Sequence, residues 1–179
     1  MNISERLRAM AVERPDAKAM VFIKEGRSLT FKELDTDVDR VAAGLKTHGL
    51  AAGMRTAVMV RPGPDFFAVA FGLFRLGAVP ILIDPGLGRK AFGRCLGEAA
   101  PEAFIGIPLA HAARIAFGWA KNVRHRVVVG TFGYPGAPTL DCVRALAAPV
   151  PYDAPPARRD DVAAILFTSG STGTPKGAV

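Results

Sequence analysis

Cysteine, histidine and tryptophan are scarce in this 179-residue chain, and the scarcity excludes several kinds of chemistry. Its two cysteines, Cys95 and Cys142, supply neither a disulfide framework nor a C-x-x-C metal spacing. Cys95 shares the apolar phase of a helix with Phe92, Leu96 and Ala99 and reads as a small core residue. The three histidines, His48, His111 and His125, are far apart in sequence, and each is assigned to a helix end or a surface position. No metal-ligand set is expected. An apolar signal-peptide core is missing near the charged N-terminus, so a cytoplasmic location is the expectation. No uninterrupted apolar run is long enough to suggest a transmembrane segment. Phe66 to Ile83 comes nearest, but Arg75 lies at its centre and Pro80 breaks it. A buried helix followed by a buried strand explains that stretch.

Acidic residues are also in deficit, 16 against 23 basic, for a net charge of +7. Such a balance suits nucleic acid, an anionic membrane or an anionic substrate. The basic residues are mostly scattered, with denser spots from Arg114 to Arg126 and at Arg158-Arg159. No aromatic-rich basic stretch offers a stacking platform, so nucleic acid is not an expected partner. Half of the residues are hydrophobic, which permits one domain with a substantial core and argues against disorder.

The pattern along the chain is helix, hairpin, helix over residues 1–50, then alternating strands and helices over 56–168. Asn2 and Glu5 have capping-box spacing ahead of an apolar face that includes Ile3, Leu7 and Met10. Ala19–Ile23 and Arg27–Leu29 read as a hairpin. Thr30 and Glu33 form a second capping box, and the helix they open buries Phe31, Leu34, Val38, Val41, Ala42 and Leu45 before Gly49 stops it. Strands are expected at Thr56–Val60, Val79–Ile83, Ala103–Ile107, Arg126–Val129 and Val162–Thr168, and helices near 64–77, 89–99, 109–120 and 139–147. This alternation predicts an α/β fold, a mostly parallel sheet with helices on both faces. The proline-rich run Ala147 to Asp160 reads as an irregular connection within the domain.

The last strand runs into Thr168-Ser169-Gly170-Ser171-Thr172-Gly173-Thr174-Pro175-Lys176-Gly177, with residues 169–177 as the loop. Glycines let a backbone approach a ligand closely, successive N–H groups form an anion nest, and hydroxyls and a lysine add donors and charge. That combination suits a polyphosphate at the C-terminal edge of an α/β sheet. The spacing is not that of a Walker loop, because Pro175 stands where the second glycine is needed and Gly177 follows Lys176. A flexible Gly/Ser linker is the plainer alternative. Upstream, Gly86-Leu87-Gly88-Arg89-Lys90-Ala91 imitates a dinucleotide fingerprint, but the later acid is missing and Asp84-Pro85-Gly86 reads as a turn.

The stretch FTSGSTGTPKG, Phe167 to Gly177, resembles the signature loop of the adenylate-forming superfamily. Leu29-Thr30-Phe31-Lys32-Glu33-Leu34 and Leu73 to Pro85 are similar to two earlier core motifs of that superfamily, in the right order. Within it, Val60 to Phe74, Ile83 to Gly86 and Pro101 to His111 look like the β-lactone synthetases of bacterial long-chain olefin biosynthesis, which makes His111 the histidine to test first. The resemblance implies that residues 1–179 are an incomplete N-terminal portion of the large adenylate-forming domain. It implies an ATP- and Mg²⁺-dependent ligase that activates a small-molecule carboxylic acid as acyl-AMP. By this likeness Thr168, Ser169, Ser171, Thr172 and Thr174 supply hydroxyls to the phosphates, Gly170 and Gly173 allow close approach, and Lys176 adds charge. The finer likeness implies a long-chain β-hydroxy acid closing to a β-lactone, with association with other enzymes of the same pathway left open. A fatty-acyl-CoA synthetase or acyl-AMP ligase is the alternative. No catalytic residue is identifiable, and a catalytically inactive truncated chain stands as the reading of another class.

Overall fold

The computed structural model describes residues 2–23, 26–84, 86–147, 151–168 and 176–178, with the backbone alone at Thr168 and Lys176. The elements in order are α1 (Ile3–Glu13), β1 (Lys18–Phe22), β2 (Arg27–Thr30), α2 (Phe31–Thr47), β3 (Arg55–Met59), α3 (Pro64–Leu76) and β4 (Val79–Ile83). They continue with α4 (Arg89–Ala99), β5 (Ala103–Gly106), α5 (Pro108–Ala116), β6 (His125–Val128), α6 (Leu140–Ala145), β7 (Ile165–Thr168) and β8 (Lys176–Ala178). The main sheet has the order β6-β5-β3-β4-β7-β8, parallel except for β8, which pairs antiparallel with β7. The antiparallel pair β1–β2 forms a separate small sheet.

Strand side chains alternate between faces, and the two cores follow that alternation. Val58, Ile105 and Val127 join Val41, Leu45, Val69, Leu73 and Val143 of α2, α3 and α6 on one face. Ala57 and Phe104 join Phe92 and Leu96 of α4 and Ala110 of α5 on the other. The mostly parallel sheet with helices on both faces is therefore the observed architecture. Cys95 packs with Ala99, Ile81 and Phe167, as a core residue would.

Local signals set most boundaries. The Thr30–Glu33 capping box is complete, with both reciprocal bonds. Pro64 opens α3 and Gly77 closes it in the left-handed region at φ 77°. Asn2 caps α1 by accepting from the Ser4 N–H at 3.0 Å, so the expected reciprocal arm from Glu5 is not part of that cap. β7 starts at Ile165, three residues later than expected. Its outer side chain Leu166 is 44% exposed, so one face of this strand is not covered by the described residues. His111 corrects the assignment of every histidine to a helix end or surface. It is 2% exposed inside α5.

The His111 ring bridges two elements. Its Nε2 lies 3.0 Å from the Val127 carbonyl of β6, and its Nδ1 lies 2.9 Å from the Tyr134 hydroxyl. A carbonyl only accepts, so Nε2 carries the proton and donates, while neutral Nδ1 accepts from Tyr134. Burial pushes the imidazole below its ordinary 6.5, outweighing the bond to Val127, and Arg114 and Arg126 push it the same way.

A buried ion cluster joins the three helices nearest the N-terminus. Arg75 of α3 is 1% exposed and donates to Asp39 Oδ1 at 2.8 Å and Asp35 Oδ1 at 2.5 Å. It also reaches the Asp35 carbonyl at 3.1 Å and the Ser4 carbonyl at 3.0 Å. Arg8 of α1 pairs with the same Asp39 oxygen and donates to the Tyr152 carbonyl at 3.0 Å. The residue that argued against a membrane span is thus a paired core charge.

Two outcomes test these features. Arg75→Met should cost about 3–5 kcal/mol in urea unfolding, because it leaves buried carboxylates undercompensated. His111 and His48 both have folded pKa values lowered chiefly by burial. The unfolded chain therefore binds more protons once the pH drops below about 6.5, and stability should fall as the pH falls through that point toward the lowered folded values. His111→Gln should flatten that slope by up to about 1.4 kcal/mol per pH unit. An unchanged slope would contradict a neutral buried His111.

Candidate functional site

The sheet's C-terminal edge opens because neighbouring strands send their chains to opposite faces. β3 leads to α3 on one side and β4 leads to α4 on the other, which leaves a crevice of the kind where open α/β sheets bind ligands. β7 lies beside β4 in parallel register, Ile81 to Ile165, Leu82 to Leu166 and Ile83 to Phe167. The Asp84 N–H donates to the Phe167 carbonyl at 3.2 Å, so the two strand ends finish together.

The hydroxyl- and glycine-rich segment departs from this edge. Thr168 ends β7 and Lys176 begins β8, and the two are register partners in the antiparallel pair. Residues 169–175 therefore connect two adjacent strand ends. Ser169, Gly170, Ser171, Thr172, Gly173 and Thr174 lie outside the described residues, as does Pro175. Lys176 and Gly177, expected in the loop, belong to β8 instead. A strand of three residues behind a proline has no periodicity to reveal it, and only the pairing with β7 defines it.

Close packing holds the hairpin. A Cβ added to Gly177 would come within 3.0 Å of the Phe167 ring, so glycine there lets β8 lie against a core aromatic. Phe167 is buried with Ile81, Cys95 and Ala99. One end of the loop is thus anchored in the core beneath α4.

The other sequence candidates fall into structural roles. Asp84 accepts from the Gly86 N–H at 2.8 Å, which makes it the turn former that Asp84-Pro85-Gly86 suggested. Gly88 precedes α4 without a side-chain cap. His48 and His125 support each other: His48 Nε2 lies 3.2 Å from the Arg126 carbonyl and His125 Nδ1 lies 3.2 Å from the His48 carbonyl. His111 and Tyr134 sit on the β5–β6 side of the sheet, with β3 and β4 between them and β7. Nothing in the local sequence of Tyr134 announces a partner 23 residues away.

A seven-residue segment rich in hydroxyls and glycine joins two strand ends at the C-terminal edge of the parallel sheet, with a lysine at its exit. Among the described residues no group of three or more His, Cys, Asp or Glu side chains could hold a metal ion by itself. No helix among them is long and apolar enough to cross a membrane.

The chain is 48% identical over 191 residues to an olefin beta-lactone synthetase of Stenotrophomonas maltophilia, covering 99% of this chain and 34% of that protein. It is 46% identical over 188 residues to an olefin beta-lactone synthetase of Xanthomonas campestris pv. campestris, with the same coverage. The chain thus spans about a third of the length of these relatives. Its fold matches the crystal structure of the anthranilate CoA ligase AuaEII in complex with anthranoyl-AMP at a TM-score of 0.87. That match has 21% identity and covers 99% of this chain and 34% of the ligase. The family of AMP-binding enzymes matches residues 7–179, and the chain belongs to that family.

Proposed function

We propose that this chain is the N-terminal part of an ATP-dependent, AMP-forming ligase whose substrate is a long-chain β-hydroxy acid and whose product is a β-lactone. The observation that carries this reading is the 46–48% identity to olefin beta-lactone synthetases along 99% of the chain. In the first step a carboxylate attacks the α-phosphorus of ATP, and negative charge builds on the departing pyrophosphate. Preorganised donors aimed at that charge lower the barrier. Thr168, Ser169, Ser171, Thr172 and Thr174 offer hydroxyls, Gly170 and Gly173 offer close backbone approach, and Lys176 offers a cation. Mg²⁺, expected for such a step, would be held chiefly by the phosphate oxygens and would offset their charge.

The hairpin supports this reading. Because Thr168 and Lys176 are paired across β7 and β8, both ends of the loop are fixed to one sheet edge. In the second step the substrate's own β-hydroxyl attacks the activated carbonyl, expels AMP and closes a four-membered ring. No thiol acceptor takes part.

Three measurements test the reading. The 179-residue chain alone should give no ATP–pyrophosphate exchange with any fatty or β-hydroxy acid, because one phosphate loop does not position both reactants. In the longer protein, Lys176→Ala should slow exchange about 10- to 100-fold, the effect of losing one or two charge-assisted bonds, with circular dichroism unchanged. Wild-type exchange in that variant would remove the loop from the mechanism. With the longer protein, a long-chain β-hydroxy acid and ATP should yield AMP and a β-lactone mass without CoA. A CoA thioester as sole product would replace this reading with an acyl-CoA ligase.

A further inference from the structure

The basic stretch from Arg114 to Arg126 takes no part in the phosphate site. It meets α4 in an aromatic cluster. Trp119 is flanked by Phe117 and Phe92, with ring centroids 4.9 and 5.2 Å away, and the Arg89 guanidinium lies 4.9 Å over the Phe117 ring. A Cβ at Gly93 would come within 2.6 Å of Trp119 Nε1, so the indole rests directly on α4. Phe117 is nonetheless 45% exposed.

Arg89 lies over Phe117, Lys121 packs beside Gly118, and further cations lie on the same two segments. Arg89, Lys90 and Arg94 of α4, and Lys121 and Arg124 between α5 and β6, are all exposed. None of the five forms an ion pair among the described residues, whereas Arg8, Arg75 and Arg144 all do. Between Arg89 and Arg126 the only acids are Glu98 and Glu102. Uncompensated like charges repel one another, so the surface gains from an anionic partner. A partly exposed Phe117 beside a half-buried Trp119, with Lys and Arg on the same segments, suits a boundary between water and an apolar phase. Nucleic acid fits less well. Trp119 packs between Phe117 and Phe92, and Arg89 occupies one face of Phe117, which leaves little open ring face for a base to stack on.

We propose that this face, α4 together with the segment between α5 and β6, docks on an anionic lipid surface. Phe117 and Trp119 lie at headgroup level, and the five cations meet the lipid phosphates. This goes beyond the proposed reaction and does not depend on it, since neither the loop nor any substrate enters the argument.

Trp119 is the only tryptophan in the chain, so its emission reports this face alone. Vesicles of phosphatidylcholine mixed with phosphatidylglycerol should shift that emission to the blue. Phosphatidylcholine alone should not, and added salt should reverse the shift. Brominated lipid should quench it. Arg89→Glu with Lys121→Glu should lower vesicle partitioning by about thirtyfold or more. Arg158→Glu with Arg159→Glu, the other basic spot, should change it by less than roughly twofold. Absence of a shift on anionic vesicles, equal loss in both double variants, or an equal shift with polyglutamate or RNA would overturn the proposal. Where the Arg89/Lys121 variant loses its folded circular dichroism, brominated-lipid quenching of the wild-type chain decides: quenching supports the docking and its absence overturns it.

Discussion

A guanidinium enclosed among three helices is the constraint on which one side of this domain depends. Arg75 has left water almost entirely, and removing a charge from water is tolerable only where paired groups replace the hydration. The carboxylates of Asp35 and Asp39 and the carbonyls of Ser4 and Asp35 do so. These acceptors come from α1 and α2, so satisfying Arg75 fixes the rotation of α3 against both helices. The same α3 leads through Gly77 directly into β4. A register change in α3 would misplace β4, and with it β7 and the loop at its end.

The loop's setting follows from this order of elements. β4 and β7 are parallel neighbours that end together, and β8 returns antiparallel to tie the far end of the loop to the same edge. Electrostatic catalysis requires donors already in place before charge develops, because reorganising them during the reaction costs energy. In the reaction proposed above, a loop fixed at both ends by strand pairing, with Phe167 anchored in the core, suits that requirement better than one fixed at a single end.

Charge is distributed unevenly over the molecule. The surplus of basic residues does not sit in its ion pairs, where Arg8, Arg75 and Arg144 face aspartates. Arg144 illustrates the paired class. Burial alone would lower its pKa, but its bonds to Asp37 and Asp65 outweigh that and hold it above its ordinary value. The unpaired cations near Phe117 and Trp119 belong to a different class. They lie exposed on α4 and on the segment between α5 and β6.

Periodicity and end signals made most of the fold legible in the sequence. The Thr30–Glu33 box, Pro64, Gly77 and the apolar runs at Val79–Ile83 and Ala103–Gly106 are local features, and local features suffice to place helices and strands of ordinary length. The composition of residues 168–176 likewise suggested the phosphate role proposed for them, because hydroxyl, glycine and lysine content is a matter of residue types. What the tertiary structure decided was partnership. The β8 pairing, the Tyr134–His111 bond, the acceptors of Arg75 and the gathering of Arg89 with Phe117 each join residues too distant in sequence for any local pattern to encode. Even the late start of β7 is of this kind, since its strand exists only where β4 is present to pair with it. The sequence alone determined which elements form and where charge and hydroxyls lie along them. Which of those groups meet was settled by packing, because burial and pairing are properties of neighbours that only the folded chain brings together.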